Sequence, residues 1–436
     1  MVRGCQWTTL LSAVALTTFY VMDVWAVDDL NFSVDILAPQ ADNPPAATAS
    51  ALQSLCPSIL DTVHAQASDL ERVCAFTTVP RPGNEPAVEA VLEELSAKPN
   101  TALVTQLIRS APVRNVTGFG ARLSALRRNN RSPVTRFRAV ETENSPTSLF
   151  AQRLSGYVTG SALSTNQDDS SAEEGFKAKT YGLIGGGDYR FGSNTFVGAA
   201  LQSGKSSAEL KDAGSDMNAT YLALAAYSSH FLNDQWYLEV SADTGKQSME
   251  IHRSINFTID NITTRKTAVG KTDAAQFDVS IGSGYEFTAP RAVVINTAAT
   301  LTYYRSSIDE YTETNADDLA LTVSGNSMTS LASQVTASAS RAFSLSQGVL
   351  IPQIFGIWIH EFKQDRSVID ARFAADTLGT HFRFTTEKPD ANYLLTGVDA
   401  QYLAVGGRTG FFRLSTTLRL RARSESALVV GYRMEL

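Results

Sequence analysis

Polar and apolar residues alternate along most of the chain from about residue 149 to residue 436, in segments separated by turn residues. In the run 276–287, Phe277, Val279, Ile281, Tyr285 and Phe287 share one face, while Gln276, Asp278, Ser280, Gly282, Gly284 and Glu286 share the other. Successive side chains of a strand point to opposite faces, so the pattern predicts a strand with one apolar and one wet face. Leu428, Val430, Tyr432, Met434 and Leu436 repeat the arrangement against Ala427, Val429, Gly431, Arg433 and Glu435. Twelve strands are predicted near 149–163, 177–191, 195–207, 218–232, 235–250, 270–287, 291–306, 328–343, 348–363, 391–404, 409–422 and 424–436. An apolar face with no later segment to cover it fits lipid around a closed barrel, and closure also pairs every backbone edge. The fold class expected is mainly β: a twelve-stranded antiparallel transmembrane barrel. Short links (192–194, 233–234, 289–291, 346–348, 406–408) alternate with longer polar ones (164–176, 208–217, 251–269, 307–327, 364–390), as turns and external loops do in such barrels.

The N-terminal part has another period. Residues 1–26 read as a secretory signal: Arg3 gives a basic start, an apolar run follows, and Val24-Trp25-Ala26 offers a cleavage site after Ala26. Residues 27–50 read as an extended linker with Pro44-Pro45. From Ala51, apolar residues recur at helix spacing (Leu52, Leu55, Ile59, Leu60 and Val63, then Leu70, Val73 and Phe76). Pro86 sits at a helix start ahead of Val88, Val91, Leu92 and Leu95, and Leu103, Val104, Leu107 and Ile108 form a further stripe. Such short amphipathic helices make at most a marginal unit on their own. Export leaves Cys56 and Cys74 in the mature chain, an even pair that suggests a disulfide, with two buried free thiols as the alternative. Only His64 lies near them, so no metal-ligand set can be drawn.

Charge is unevenly laid out under a net −7: seven arginines and no carboxylate lie between Val113 and Arg138. Residues 114–128 predict a helix with Val116, Phe119, Leu123 and Leu126 on one side and Arg114, Arg122, Arg127 and Arg128 on the other. A solvated basic face is the usual explanation. Here the helix leads into a barrel whose inward set carries Glu239, Asp243, Asp278, Glu286 and Asp399, partners for a helix threaded through the lumen. Arg413, Arg419 and Arg421 are placed inward as well. Nucleic-acid binding fits poorly, because the basic run holds one aromatic residue before Phe137 in an exported chain.

Residues 149–436 resemble the autotransporter β-barrel domain of type V secretion. The resemblance rests on Arg122-Leu123-Ser124-Ala125-Leu126-Arg127 as a pore helix, and on Pro352 followed by Trp358, His360, Glu361 and Phe362 as a strand motif. Asp390, Gly397-Val398-Asp399 and Gly410-Phe411, leading into the last two strands, complete it. It implies the organisation 1–26 signal peptide, 27–110 short helical passenger-like region, 111–148 basic linker helix and lead-in, and 149–436 barrel. It implies a bacterial outer-membrane protein that translocates or displays its own N-terminal segment. Outer-membrane lipid, the barrel assembly machinery and periplasmic chaperones are the implied partners, with no nucleic acid, no cofactor and a monomeric barrel. Two features depart from the family's pattern: Leu436 stands where an aromatic residue is usual, and the segment before the barrel is short. A plugged porin-like or structural barrel with periplasmic helices is the alternative.

Other chemistry is weak. Gly204-Lys205-Ser206 imitates a phosphate loop, but Ala199 stands where a glycine is needed. Gly185-Gly186-Gly187 lies within a strand and fits a close approach or bend. Ser58, Asp61 and His64 share one short helix and cannot converge. A loop-borne protease drawing on Asp168, Asp169, Asp317, Asp318 and His230 or His252 is conceivable, although paired acids in external loops are usually just solvated. Asn129-Asn130 resembles the self-cleavage pair of some relatives but lies past Leu126-Arg127, where a capping role explains it.

Overall fold

The computed structural model describes residues 44–61, 66–78, 84–97, 123, 153–170, 173–211 and 214–435. Its strands are, in chain order, β1 Leu154–Gln167, β2 Phe176–Phe191, β3 Thr195–Leu210, β4 Asp216–Phe231, β5 Trp236–Ile259, β6 Ile262–Ala289, β7 Val293–Ile308, β8 Tyr311–Thr312, β9 Leu321–Val323 and β10 Asn326–Arg341. There follow β11 Phe343–Leu345, β12 Gly348–Glu361, β13 Val368–Phe373, β14 Phe382–Thr385, β15 Asn392–Ala404, β16 Arg408–Leu418 and β17 Arg423–Glu435. Twelve of them, β1–β7, β10, β12 and β15–β17, form an antiparallel barrel. β17 closes it on β1 in a continuous register from Ser155↔Glu435 to Gln167↔Arg423. No edge is left to lipid, which cannot hydrogen-bond an open one.

Burial follows the alternation. On β6, Phe277, Ile281 and Phe287 are exposed while Asp278, Ser280 and Glu286 are buried; on β17, Leu428, Val430 and Tyr432 face out and Ala427, Val429 and Arg433 face in. The ten-residue step from exposed Tyr181 to exposed Phe191 on β2 is about 25 Å of height on a strand tilted by about 40°, the thickness of an outer-membrane apolar band. Inside, aromatic rings lie flat over glycines of neighbouring strands. A Cβ at Gly198 would fall 2.2 Å from the Tyr227 ring, and one at Gly431 would fall 2.1 Å from Phe411. Gly186 has the same role under Tyr157, with a would-be Cβ 2.7 Å from its hydroxyl. Pro352 lies on β12 between Gln353, which pairs with β10, and Leu350, which pairs with β11, opposite the break at Ala342. A residue without an amide proton is tolerated there because the ladder is already interrupted.

The two ends of the barrel differ. β1 starts and β17 ends at the end with short turns, while the other end carries the long connections. The run 251–269, expected as a polar loop, is instead the upper half of the β5–β6 hairpin. It closes through Asp260 and Asn261, both at positive φ (47° and 65°), the two-residue turn that matches strand twist. Its alternation is real, since Ile251, Ile255, Phe257 and Ile259 are buried, but the surface that buries them is not lipid. The connections at 307–327 and 364–390 likewise hold a four-stranded sheet, ordered β14-β13-β9-β8.

Three helices are described: α1 Pro44–Leu60, α2 Asp69–Thr78 and α3 Glu85–Leu95. α1 begins before Ala51, inside the stretch expected as linker, because proline fits a first helical turn and the alanines after it favour helix. α2 starts on a reciprocal cap: the Ser68 amide donates to the Glu71 carboxylate at 2.6 Å, and the Glu71 amide to Ser68 Oγ at 3.1 Å. A disulfide joins Cys56 of α1 to Cys74 of α2; a loop of that length stabilises by about 3 kcal/mol in the chain-entropy view. The helices do not stand alone. Leu52, Leu55, Leu70, Val73, Val88, Leu92 and Leu95 share one buried core with Ile255 and Phe257 of β5, Leu319 and Leu321, Ile369 and Phe373 of β13, and Phe382 and Phe384 of β14.

A closed barrel resists detergent until boiled, so unboiled and boiled protein should migrate differently on electrophoresis. Gly198→Val should lower the unfolding free energy obtained from a urea titration by about 1–3 kcal/mol, the usual cost of overpacking. An unchanged titration would show that Tyr227 does not need the glycine beneath it.

Candidate functional site: the lumen and the docked helices

Of the expected pore helix, Leu123 is described; Arg114, Arg122, Leu126 and Arg127 lie outside the described residues, as do the signal sequence, Asn129-Asn130 and the stripe 103–108. Leu123 is helical and buried inside the barrel, in one cluster with Tyr157, Ile184, Phe196, Tyr227, Phe231 and Tyr237 of β1–β5. The wall from β5 to β16 stands off from it across a cavity of about 90 Å³ lined by Glu239, Ser280, Asn296, Gln334, Gln353 and Arg413, among others. Leu123 therefore packs on apolar and aromatic side chains of β1–β5 and faces a cavity of mixed polar and apolar lining on its other side.

Four of the lumen acids come from the adjacent strands β5 and β6, and Asp399 comes from β15. Asp278, Glu286 and Asp399 are buried; Asp243 and Asp278 are cross-strand partners on β5 and β6. Asp399 accepts a hydrogen bond from Arg413 Nη2 at 2.9 Å, and the guanidinium stacks 4.6 Å over the Phe355 ring. Arg413 is inward as expected, but Arg419 and Arg421 are not: β16 ends at Leu418, Arg419 turns with φ 67°, and the Arg421 side chain is 93% exposed. Arg423 and Arg433 are the further buried arginines of the last strand. Their place on the alternation of β17 was the signal available for them. Arg433 Nε donates to Ser155 Oγ at 3.2 Å across the closing seam, and Ser155 donates to Asp188 at 2.8 Å.

The strand motif divides between two faces. Trp358, His360 and Phe362 form an outward ladder, with ring centroids 6.0 and 4.7 Å apart. Glu361 points inward, is buried, and accepts hydrogen bonds from the amides of Leu331 and Lys363 at 3.0 Å each. His360 Nδ1 lies 2.9 Å from Asn392 Oδ1, an arrangement for placing a rim residue rather than for binding a metal.

At the long-loop end the helices are tied down by charges that sequence reasoning missed. Arg253 on β5 is 1% exposed and donates to both Glu313 oxygens, Nε at 3.0 Å and Nη2 at 2.6 Å. The same side chain reaches the Leu319 carbonyl at 3.0 Å and the Glu94 carbonyl in the last turn of α3 at 3.5 Å, where a cation suits the helix dipole. Glu94 in turn accepts from the Asn256 amide at 2.9 Å. Asp69, at the start of α2, accepts from Lys266 and Arg72, and from Thr264 Oγ1 at 3.0 Å. Burial by itself would raise the Asp69 carboxyl; those hydrogen bonds and the Lys266 and Arg72 charges together leave it below the usual carboxylate range. Burial likewise acts to lower Lys266, but Asp69 and Asp317 hold it above its ordinary value. Asp317 and Asp318, read from sequence as loop acids, are docking groups: Asp317 lies 2.9 Å from Lys266, and Asp318 accepts from the Leu70 amide at 2.7 Å.

The protease constellation does not assemble. His230 faces Thr195 at the short-turn end of the barrel, opposite the end that holds Asp168, Asp169, Asp317 and Asp318. His252 lies between Asp216 and Glu250, at 2.9 and 3.1 Å.

A closed twelve-stranded barrel with an apolar outer face, the helical Leu123 and buried charged groups inside its lumen, and N-terminal helices at one mouth defines an outer-membrane barrel of the translocator class. Residues 156–412 match the family model of the autotransporter beta-domain, and the chain belongs to that family. It is 23% identical to outer membrane protein A of Rickettsia rickettsii over 281 residues, 63% of this chain and 12% of the relative. With outer membrane protein B of Rickettsia typhi it shares 27% identity over 152 residues, 34% of this chain and 9% of the relative. The matched part thus spans about an eighth or less of these curated relatives. The fold matches the translocator domain of the autotransporter NalP from Neisseria meningitidis with a TM-score of 0.53 at 16% identity, covering 74% of this chain and 99% of that one. The chain is an autotransporter barrel of the bacterial outer membrane, and the porin-like alternative is not favoured. The family is in general a secretion domain rather than a catalytic one.

Two predictions follow from the docking contacts. Arg253→Met leaves Glu313 buried without its partner and should loosen the helices by about 3–5 kcal/mol, while Arg253→Met with Glu313→Leu should recover most of that loss. Limited proteolysis within residues 44–95 checks both, and equal protection of wild type and single variant would contradict the assignment. The Asp69 carboxyl titrates below its unfolded value, near 3.9, so its contribution is complete above about pH 4 and is lost as pH falls below that. The Lys266 contribution is lost only on the alkaline side, beyond its ordinary value. Amide exchange in α2 should therefore be steady from pH 5 to 8, after correction for intrinsic rates, and rise at pH 3.

Proposed function

We propose that this barrel carries its own N-terminal helical segment to the cell surface and keeps it there, docked as a cap over the long loops. The observation that carries the reading is the course of the chain. α1–α3 pack at the long-loop end, Leu123 lies inside the lumen, and β1 begins at the short-turn end. With short turns in the periplasm and long loops outside, residues between α3 and β1 cross the barrel from outside to inside. In this reading residues 1–26 are a signal removed after Ala26, residues 27–110 are the presented segment, and 111–148 are the linker. Arg114, Arg122 and Arg127 meet Glu239, Asp243, Asp278, Glu286 and Asp399 across the lumen, and Leu126 continues the apolar stripe of Leu123. Periplasmic chaperones and the barrel assembly machinery insert the barrel. Burial of α1–α3 against the loops supplies free energy at the far side, and no catalytic group, nucleotide or cofactor takes part.

Retention is part of the proposal, because α1–α3 form their core with the barrel's own loops rather than with one another alone. An epitope tag after Asp29 should be accessible to antibody on intact cells and should fractionate with the outer membrane. A tag reached only after permeabilisation would overturn display. A tag recovered chiefly in the medium, with a barrel fragment beginning at Asn130, would overturn retention.

A further inference from the structure

The outer wall of the barrel is not uniform around its circumference. On β2–β6, just toward the loop end of the apolar band, four lysines project outward: Lys179, Lys205, Lys246 and Lys271. Lys179, Lys205 and Lys271 line a groove of about 650 Å³ whose walls also carry the hydroxyl groups of Ser207, Thr220 and Ser248, and Lys246 lies beside it on the lining residue Asp273. Register holds them together. Lys205 is the cross-strand neighbour of Tyr181 on one side and Thr220 on the other, Thr220 is next to Ser248, and Lys271 faces Glu250. Directly toward the turn end lie Leu183, Leu201, Leu222 and Leu224, each more than half exposed. Continuing the row of Lys179 the other way, around β1, β17 and β16, the positions are Ser164, Ser426 and Thr416, which carry no charge.

The acids in the groove do not cancel the lysines. Lys246 pairs with Asp273 at 2.7 Å and Lys271 with Glu250 at 3.1 Å, whereas Lys179 and Lys205 make no ion pair among the described residues. Two cations are therefore left over beside hydroxyl donors, at the height where an apolar wall gives way to polar groups. We propose that this groove binds one lipid of the leaflet at the loop end through a phosphorylated headgroup. The phosphate oxygens sit between the Lys179 and Lys205 ammonium groups and accept from the hydroxyls, and the acyl chains lie along Leu183, Leu201, Leu222 and Leu224. A free phosphate ion would forgo that apolar contact, so the lipid is the occupant. The proposal is independent of whether the N-terminal helices are displayed.

The full chain in detergent micelles tests this by native mass spectrometry with lipid A, a doubly phosphorylated disaccharide lipid, as the probe. Wild-type protein should retain one lipid. Lys179→Ser with Lys205→Ser should weaken retention by about 25-fold, from about fivefold per lysine near a charged headgroup, and Lys363→Ser, a lysine outside the groove, should leave it unchanged. Dephosphorylated lipid should bind as weakly to wild type as lipid A does to the double variant, and millimolar inorganic phosphate should not displace lipid A. Equal retention by wild type and double variant, equal binding of the dephosphorylated lipid, an equal loss in Lys363→Ser, or displacement by phosphate would each overturn the proposal. The exposed serine substitutions should leave the heat-dependent shift in gel mobility intact, so a loss of binding would not be a loss of fold.

Discussion

The pairing of β17 with β1 is the contact on which the rest of this structure depends. In hydrocarbon an unpaired amide or carbonyl has no water to turn to, and an open twelve-stranded sheet would carry two rows of them. The seam is accordingly continuous from Ser155 to Gln167 of β1, and at its short-turn end it is joined by side chains too, through Arg433, Ser155 and Asp188. Once the sheet is closed, every strand has one face toward lipid and one toward a lumen. That is why Leu428 and Val430 can be exposed while Asp278 and Arg413 are buried, the reverse of a water-soluble protein.

Closure also creates an interior that must be filled. The glycines under Tyr227 and Phe411 let rings lie against the wall instead of projecting across the lumen, which leaves room for a helix. Leu123 takes part of that room among the rings of Tyr157, Tyr227 and Tyr237, and it shares a cavity with Glu239 and Arg413.

How much of this could be read from the chain depended on what each apolar face packs against. The twelve barrel strands were legible because lipid asks for strict alternation over many residues. The β5–β6 extension was not, although Ile251, Ile255, Phe257 and Ile259 alternate just as well. Its other face is solvated and its apolar face is covered by helices encoded far earlier in the chain, so polar residues dominate any local count. Arg253 was invisible for a related reason: its partner Glu313 lies 60 residues on, and an arginine amid His252 and Ser254 looks like solvated surface. Arg419 and Arg421 mislead because the alternation of the sequence runs on past Leu418, and only the left-handed turn at Arg419 shows that the strand has ended. Arg423 and Arg433, by contrast, follow from counting along β17.

The same separation in sequence decides how the two ends of the molecule can come together. The groups that hold α2 and α3 lie 248 and 159 residues after them, as in the bonds from Leu70 to Asp318 and from Arg253 to Glu94. The platform itself is a direct continuation of the membrane strands β5 and β6, so it exists in final form only once the barrel wall does. The helices have too few apolar residues to hold together by propensity alone, and the disulfide limits their unfolded ensemble without giving them a core. Their stable state is therefore conditional on a barrel already closed, and it can form only at the loop end, where Ile255, Phe257, Phe373 and Phe384 are available. A segment that is marginal alone and stable only when docked has its free-energy minimum at one mouth of the barrel, which would bias the proposed crossing of the lumen toward that mouth.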